Sequence, residues 1–204
     1  MSVLPLDNSA EHEADYENRR VWDLPTRLFH WSLVICVTSG WLLGENMTFS
    51  TINWHFWLGY TTGGLLVFRL IWGFVGPPHA RFKALLPTPA AVRDYLAHVA
   101  DRRPSGVAGH NPLGALSVLA MLATLTVQVV SGLMSESDDF FDGGPLSSMV
   151  PDAVVRAANE IHAISSSVLI WLVGLHVAAL VFYLVWKREN LIRPMVTGIK
   201  KVRR

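Results

Sequence analysis

Four of the eight histidines in this 204-residue chain fall inside long apolar runs. They are His30 in RLFHWSLV, His55 in WHFWLGYTTGG, and His162 and His176 in EIHAISSSVLIWLVGLHVAALVFYLVW. Histidine within an apolar span is costly and marks function by default, and neutral imidazole is the commonest metal ligand. His162 and His176 stand fourteen residues apart. On a helix that spacing is about 21 Å of rise and about 1400° of turn, so the two rings face the same way to within about 40°. The separation is far too large for one metal ion, but each ring can serve a large cofactor of its own. Arg69 follows His55 by the same fourteen residues and so shares its face. A buried guanidinium needs an anion, and no run carries a carboxylate well inside it.

The elements that must position these groups are apolar and long. The composition is 51% hydrophobic and only 16% charged, where an ordinary soluble domain has about a quarter charged residues. Four stretches, about 28–44, 54–75, 112–134 and 161–186, have the length of roughly 17 to 25 residues that crosses a bilayer. The fold class expected is all-α: an integral membrane four-helix bundle in lipid, with a short cytoplasmic amphipathic helix in TPAAVRDYLAHVADRR. That helix opens on Thr88 as cap and Pro89 as first helical residue, and Val92, Tyr95, Leu96 and Val99 share one face. Apart from Arg69 and Arg156, all 17 Lys and Arg lie before the first span, between the second and third, or after the fourth. The positive-inside rule then makes both termini of this multi-pass protein cytoplasmic.

With that orientation the histidines sort by depth. His30 begins the first span and His176 ends the fourth, both toward the cytoplasm. His55 begins the second span and His162 the fourth, both toward the outer face. Each pair supplies two axial imidazoles to a planar group held across the bundle, so the metal-binding expectation is two haem irons, His55/His162 outer and His30/His176 inner. Arg69 lies at the depth of the inner pair, where haem propionates would answer its charge. Gly44 follows His30 by fourteen residues, and Gly59 and Gly63 continue the His55 side, although small residues also serve plain helix packing. A catalytic residue is not identified.

The remaining features are read as follows. Residues 1–20 form a disordered acidic cytoplasmic tail, without the pattern of a cleavable signal. Residues 21–200 form the four-helix domain expected to hold the two haems, and 201–204 a basic C-terminal tail. Cys36, the single cysteine, excludes a disulfide, an iron–sulfur cluster or a covalent haem within the chain. The acidic cluster Glu136, Asp138, Asp139 and Asp142 is a solvated loop, with docking of a basic partner as its functional alternative. Pro151 and Asp152 suit a helix start that would carry the fourth span beyond the membrane. His79 and His98 are surface residues, His110 is a capping or interface residue, and His12 carries no signal. Trp22, Trp31, Trp41, Trp54, Trp57, Trp72 and Trp186 cluster near span ends as an interfacial belt requires. There is no phosphate-binding glycine loop, and no nucleic-acid partner is expected.

The motifs VWDLPTRLFHWS, GxxxGxxxxxRLIWGFxGP from Gly59 to Pro77, RFKALLPTP, GHNPLG and EIHAISSSVLIWLVGLHVAALVFY followed by ENLIRPMVTGIK resemble the bacterial cytochrome b-561 family, in the group that includes the b-type cytochrome subunit of nickel–iron hydrogenases. The resemblance covers residue 21 to about 200. It implies a four-helix bundle in the bacterial inner membrane with two non-covalent b haems, whose ligands fall on His30, His55, His162 and His176. It further implies electron transport between a quinone pool, ubiquinone or another quinone, and an outer-face c-type cytochrome or dehydrogenase. Other members oxidise superoxide or serve as haem-bearing membrane anchors of a dehydrogenase or hydrogenase. Hydrogenase cytochromes often have a further span, and four are visible here. A haem-free transporter relaying protons through histidine is the expectation from another class; it would need broken helices and carboxylates within the spans.

Overall fold

A computed structural model describes residues 16–137 and 142–203. Strand β1 (Tyr16–Arg20) leads into α1 (Leu24–Glu45) and α2 (Ile52–Val75), and a 3-10 turn at Phe82–Leu85 precedes α3 (Pro89–His98). Next come α4 (Pro112–Met134), the two-residue strands β2 (Glu136–Ser137) and β3 (Asp142–Gly143), and a 3-10 turn at Ser147–Met149. The chain ends with α5 (Asp152–Val185), α6 (Ile192–Thr197) and β4 (Ile199–Arg203). Four helices, α1, α2, α4 and α5, are long and apolar enough to cross a membrane, so the fold is the helical membrane bundle that the hydropathy pattern predicts. Its apolar side chains face outward, as lipid requires; Trp171 is 81% exposed.

Local chemistry explains where each helix begins. Asn111 and Thr88 cap α4 and α3 through their side-chain oxygens, which accept from Gly114 N–H at 2.8 Å and Ala91 N–H at 3.2 Å, and proline follows each cap. Asp23 caps nothing directly. Its carboxylate accepts Thr26 Oγ1–H at 2.6 Å and Trp72 Nε1–H at 3.0 Å, which ties the start of α1 to the end of α2. The 34 residues of α5 are about 51 Å of helix, well over the roughly 30 Å hydrocarbon core. Its extra turns stand beyond the bundle, where Asn159 exchanges two 3.0 Å hydrogen bonds with the Glu136 backbone. Asp138 and Asp139 of the acidic cluster lie outside the described residues.

The helices pair unequally. α1 packs along α2, α4 along α5, and α2 touches α4 more lightly, while α5 makes little contact with α1 or α2. The bundle is therefore two hairpins with a gap between them. At the end where the termini lie, β1 and β4 close that gap as an antiparallel ribbon in the register Tyr16↔Arg203 to Arg20↔Ile199.

This ribbon corrects two expectations. Residues 16–20 are not tail, because they are paired strand, and Lys201 to Arg203 belong to the same ribbon; residues 1–15 and Arg204 lie outside the described residues. Below the ribbon Val21, Trp22 and Val202 form a small core with Ala108 and Met195. Gly198 ends α6 at φ 82°, and its carbonyl accepts from Val21 N–H and Trp22 N–H at 2.9 and 3.2 Å. A Cβ there would lie 2.7 Å from the Trp22 carbonyl oxygen, so both the backbone angle and the space require glycine.

Trp22 is 6% exposed, and truncating a buried tryptophan costs about 3–5 kcal/mol. Trp22→Ala is expected to open the ribbon while the four long helices persist. Limited proteolysis should cut the terminal segments faster, with unchanged far-ultraviolet circular dichroism; equal cleavage rates would show that the ribbon closes without this ring.

Candidate functional site

The gap between the hairpins widens into a cavity of about 840 Å³, within the roughly 300–1,000 Å³ of small-molecule sites. All four long helices line it, through residues such as Gly40, His55, Gln128 and His162. The His55 and His162 ring centroids lie 6.2 Å apart at 77°. His55 Nδ1 lies 3.0 Å from the Gly40 carbonyl oxygen, and His162 Nδ1 lies 2.9 Å from that of Gln128. A carbonyl only accepts, so in both bonds Nδ1 carries the proton and Nε2 keeps its lone pair. This is how metal-binding histidines are commonly oriented from behind.

His162 Nε2 is covered by the Gln128 side-chain amide at 3.0 Å, while Ser165 Oγ donates to Gln128 Oε1. Gln128, unremarked in the sequence, therefore touches His162 with both its backbone and its side chain. Its signal was a single amide in the otherwise apolar TLTVQVVSG of the third span.

Glycines set the cavity's width. A Cβ on Gly44 would sit 3.6 Å from His55 Cε1, and one on Gly40 or Gly59 would meet nothing within 4 Å. Gly63 instead packs on Val129, at 3.4 Å for an added Cβ, so it serves helix packing. Gly132 allows the closest approach, since an added Cβ would lie 2.8 Å from His162 Cε1.

At the other end, beneath the ribbon, four buried polar atoms have no hydrogen-bond partner among the described residues: Arg27 Nε, His30 Nδ1, Arg69 Nη1 and His110 Nδ1. Arg69 is 8% exposed and lies over the Phe82 ring, 5.0 Å from its centroid; that ring fills the space where a Gly73 side chain would be. Asp23, the carboxylate whose charge acts on Arg69, is occupied by Thr26 and Trp72.

His110 is not the cap of α4, a role Asn111 holds. Its ring lies 4.8 Å from Trp22. Burial pushes its pKa down to about 4, helped by the charges of Lys200 and Arg69 and by His176 and His30. The fold thus gathers His30, Arg69, His110 and His176 at one end and His55 with His162 at the other. His98 is exposed, and its pKa is raised by hydrogen bonding and charge at Asp94, as befits a surface residue.

The arrangement fits a b-type haem. Glycine backbones let a flat apolar ring approach, the Nε2 lone pairs of His55 and His162 offer ligands once the Gln128 amide moves aside, and unmet polar atoms offer anion contacts.

The model of the family described as prokaryotic cytochrome b561 matches residues 21–198. Similar proteins include the probable Ni/Fe-hydrogenase B-type cytochrome subunit of Bradyrhizobium diazoefficiens, 22% identical and covering 100% of this chain and 94% of its own length. Its counterpart in Rhizobium leguminosarum bv. viciae is 23% identical over 96% and 94% of the two chains. That of Azotobacter vinelandii is 31% identical over 48% and 50%.

Gly132→Ala is expected to push the His162 ring off the Gln128 carbonyl, an overpacking that costs about 1–3 kcal/mol. Gly44→Ala, with ordinary contact distances, should be neutral or slightly stabilising because alanine is the better helix former. Parallel thermal unfolding in detergent checks the contrast, and equal melting temperatures would mean the His162 ring has room to move.

Proposed function

Because this chain belongs to the prokaryotic cytochrome b561 family, we propose that it is a dihaem b-type cytochrome. It carries electrons across a bacterial inner membrane between a quinone pool and a redox partner at the outer face. The observation that supports this reading best is the division of four histidines between opposite ends of one gap, each proposed pair drawn from α5 and from a helix, α1 or α2, that makes little contact with it.

In this reading His55 and His162 hold the outer haem, and His30 and His176 the inner one. Haem supplies a one-electron ferric/ferrous couple, tuned by ligands, burial and nearby charge. The Gly40 and Gln128 carbonyls keep Nδ1 protonated on His55 and His162 and so direct Nε2 inward. Gln128 would have to release His162 Nε2 for that nitrogen to serve as a ligand. Two imidazoles on each haem would leave its iron no site for oxygen, which would suit electron transfer rather than oxygen chemistry. Arg69 favours the reduced state of the inner centre by opposing its negative propionates.

The basic loops and tail support cytoplasmic termini, an orientation that would turn the Glu136 loop to the outer side. The names of the similar proteins support a hydrogenase, or another dehydrogenase of that face, as the redox partner. The four spanning helices are continuous, unlike the broken helices of a haem-free transporter.

Protein purified in detergent from haem-replete cells is expected to contain two haems per chain, with the paired bands of low-spin haem b on reduction. His55→Ala and His162→Ala should each leave one haem of one potential, and His30→Ala and His176→Ala should each leave the other. A colourless protein, or losses that follow a different pairing in a redox titration, would overturn the assignment.

A further inference from the structure

The corner beneath the terminal ribbon holds more donors than its own residues can satisfy. His110 Nδ1 is shut off from solvent with no partner among the described residues, and so is Arg69 Nη1. An unmet buried polar atom costs about 1–3 kcal/mol, so the arrangement gains when a partner enters. Short links join the two groups. The His110 ring stands against Trp22, 4.8 Å between centroids. The next residue, Asp23, holds Trp72 at 3.0 Å, and Trp72 lies one helical turn from Arg69 on α2.

The character of the missing partner follows from what surrounds it. Arginine offers only donors, and Asp23, the acid whose charge acts on Arg69, already accepts from Thr26 and Trp72. Lys200 is 7% exposed and adds positive potential beside His110, although its own ammonium is engaged by Glu189 at 3.0 Å. The corner is thus positive at His110 and water-poor, and Arg69 Nη1 and His110 Nδ1 are among its unmet polar atoms. A carboxylate satisfies all three conditions, because charge-assisted hydrogen bonds are strongest where solvent is excluded.

We infer that His110 and Arg69 form a two-pronged carboxylate clamp, which holds a propionate of the haem carried by His30 and His176. The inference rests on the dihaem reading above. Arg69 supplies the charge, while His110 Nδ1–H, fixed by Trp22 on one side and the capped start of α4 on the other, supplies direction. His110 is then a positioning residue. It sets the tilt of the ring through its propionate and withdraws part of that negative charge from the iron. Loss of the contact leaves the propionate more negative and stabilises the oxidised centre.

The test compares wild-type holoprotein with His110→Phe and His110→Gln. It measures haems per chain, the midpoint potential of each haem, and the propionate bending band in resonance Raman spectra. The variants should retain two haems, with the outer potential unchanged as an internal control. In His110→Phe the inner reduction equilibrium should fall about tenfold, or about 59 mV for one electron, and the propionate band should shift. His110→Gln, which keeps a donor, should restore most of both; His110→Ala replaces His110→Phe if phenylalanine is not accommodated.

A second arm refills stripped protein with haem dimethyl ester, which has no free carboxylate. There wild type and His110→Phe should share one inner potential. The clamp is overturned if His110→Phe matches wild type in potential and band with two haems bound, or if their difference survives in the ester. A wild-type protein without an inner haem would instead overturn the dihaem reading, and the clamp with it.

Discussion

Within a membrane, water cannot rescue a polar group, so each one must find its partner inside the protein. The four long helices obey this closely. The hydroxyls of Thr61, Thr62, Thr126 and Ser167 all return to the carbonyl four residues back, and His55 and His162 bond carbonyls of neighbouring helices. Against that background the unmet atoms of His30, Arg69 and His110 gather at a single end. A guanidinium held at 8% exposure over an aromatic ring, with the local acid already occupied, is stable only if an anion completes it. The proposed inner haem provides one, and the placing of Arg69, Phe82 and Trp22 makes sense around it.

The packing follows from the same need. Two helices that present ligands to opposite sides of a flat group cannot also pack against each other. Here α5 makes little contact with α1 or α2, while each finds a close neighbour elsewhere. Glycine regulates the approach. Gly40, Gly44 and Gly59 leave the cavity wall bare, and Gly132 brings α4 so near His162 that a methyl group would collide with the ring. The orientation of that ring is therefore set by α4, a helix that contributes none of the four proposed ligands.

What the sequence discloses and what it hides divide along physical lines. Apolar length located the spans, and the 100° step per residue placed His162 with His176 and His55 with Arg69, because these are properties of one helix at a time. Basic-residue asymmetry allowed depths to be compared between helices. Tertiary neighbours leave no such trace. YENRR has no alternation that would mark Tyr16–Arg20 as a strand, and its pairing with residues 179 to 187 positions further on, from Arg20↔Ile199 to Tyr16↔Arg203, is visible only in three dimensions. His110 looked like part of a cap because it precedes Asn111 and Pro112, yet the hydrogen bond to Gly114 belongs to Asn111. Gln128 was lost among apolar residues for the opposite reason, since one amide in a span does not say which ring it will meet.

The terminal ribbon then has a structural reason for its length and place. The proposed inner ligands come from α1 and α5, which lack a shared packing face to hold them in register. Their ends are joined instead through the chain that follows α5. Arg27 on α1 donates to the Val196 carbonyl, and Trp31 Nε1–H donates to that of Met195 at 3.0 Å. Glu189, just past α5, takes Lys200 of β4 at 3.0 Å and Ser105 N–H at 2.6 Å. These bonds all lie outside the gap, so they fix the separation of α1 and α5 without filling the space between them. Helix-to-helix packing would have fixed the same separation only by closing the gap. A bundle that must stay open for a cofactor is thus held at its rim, and β1 and β4 form that rim at the end where the unmet donors lie.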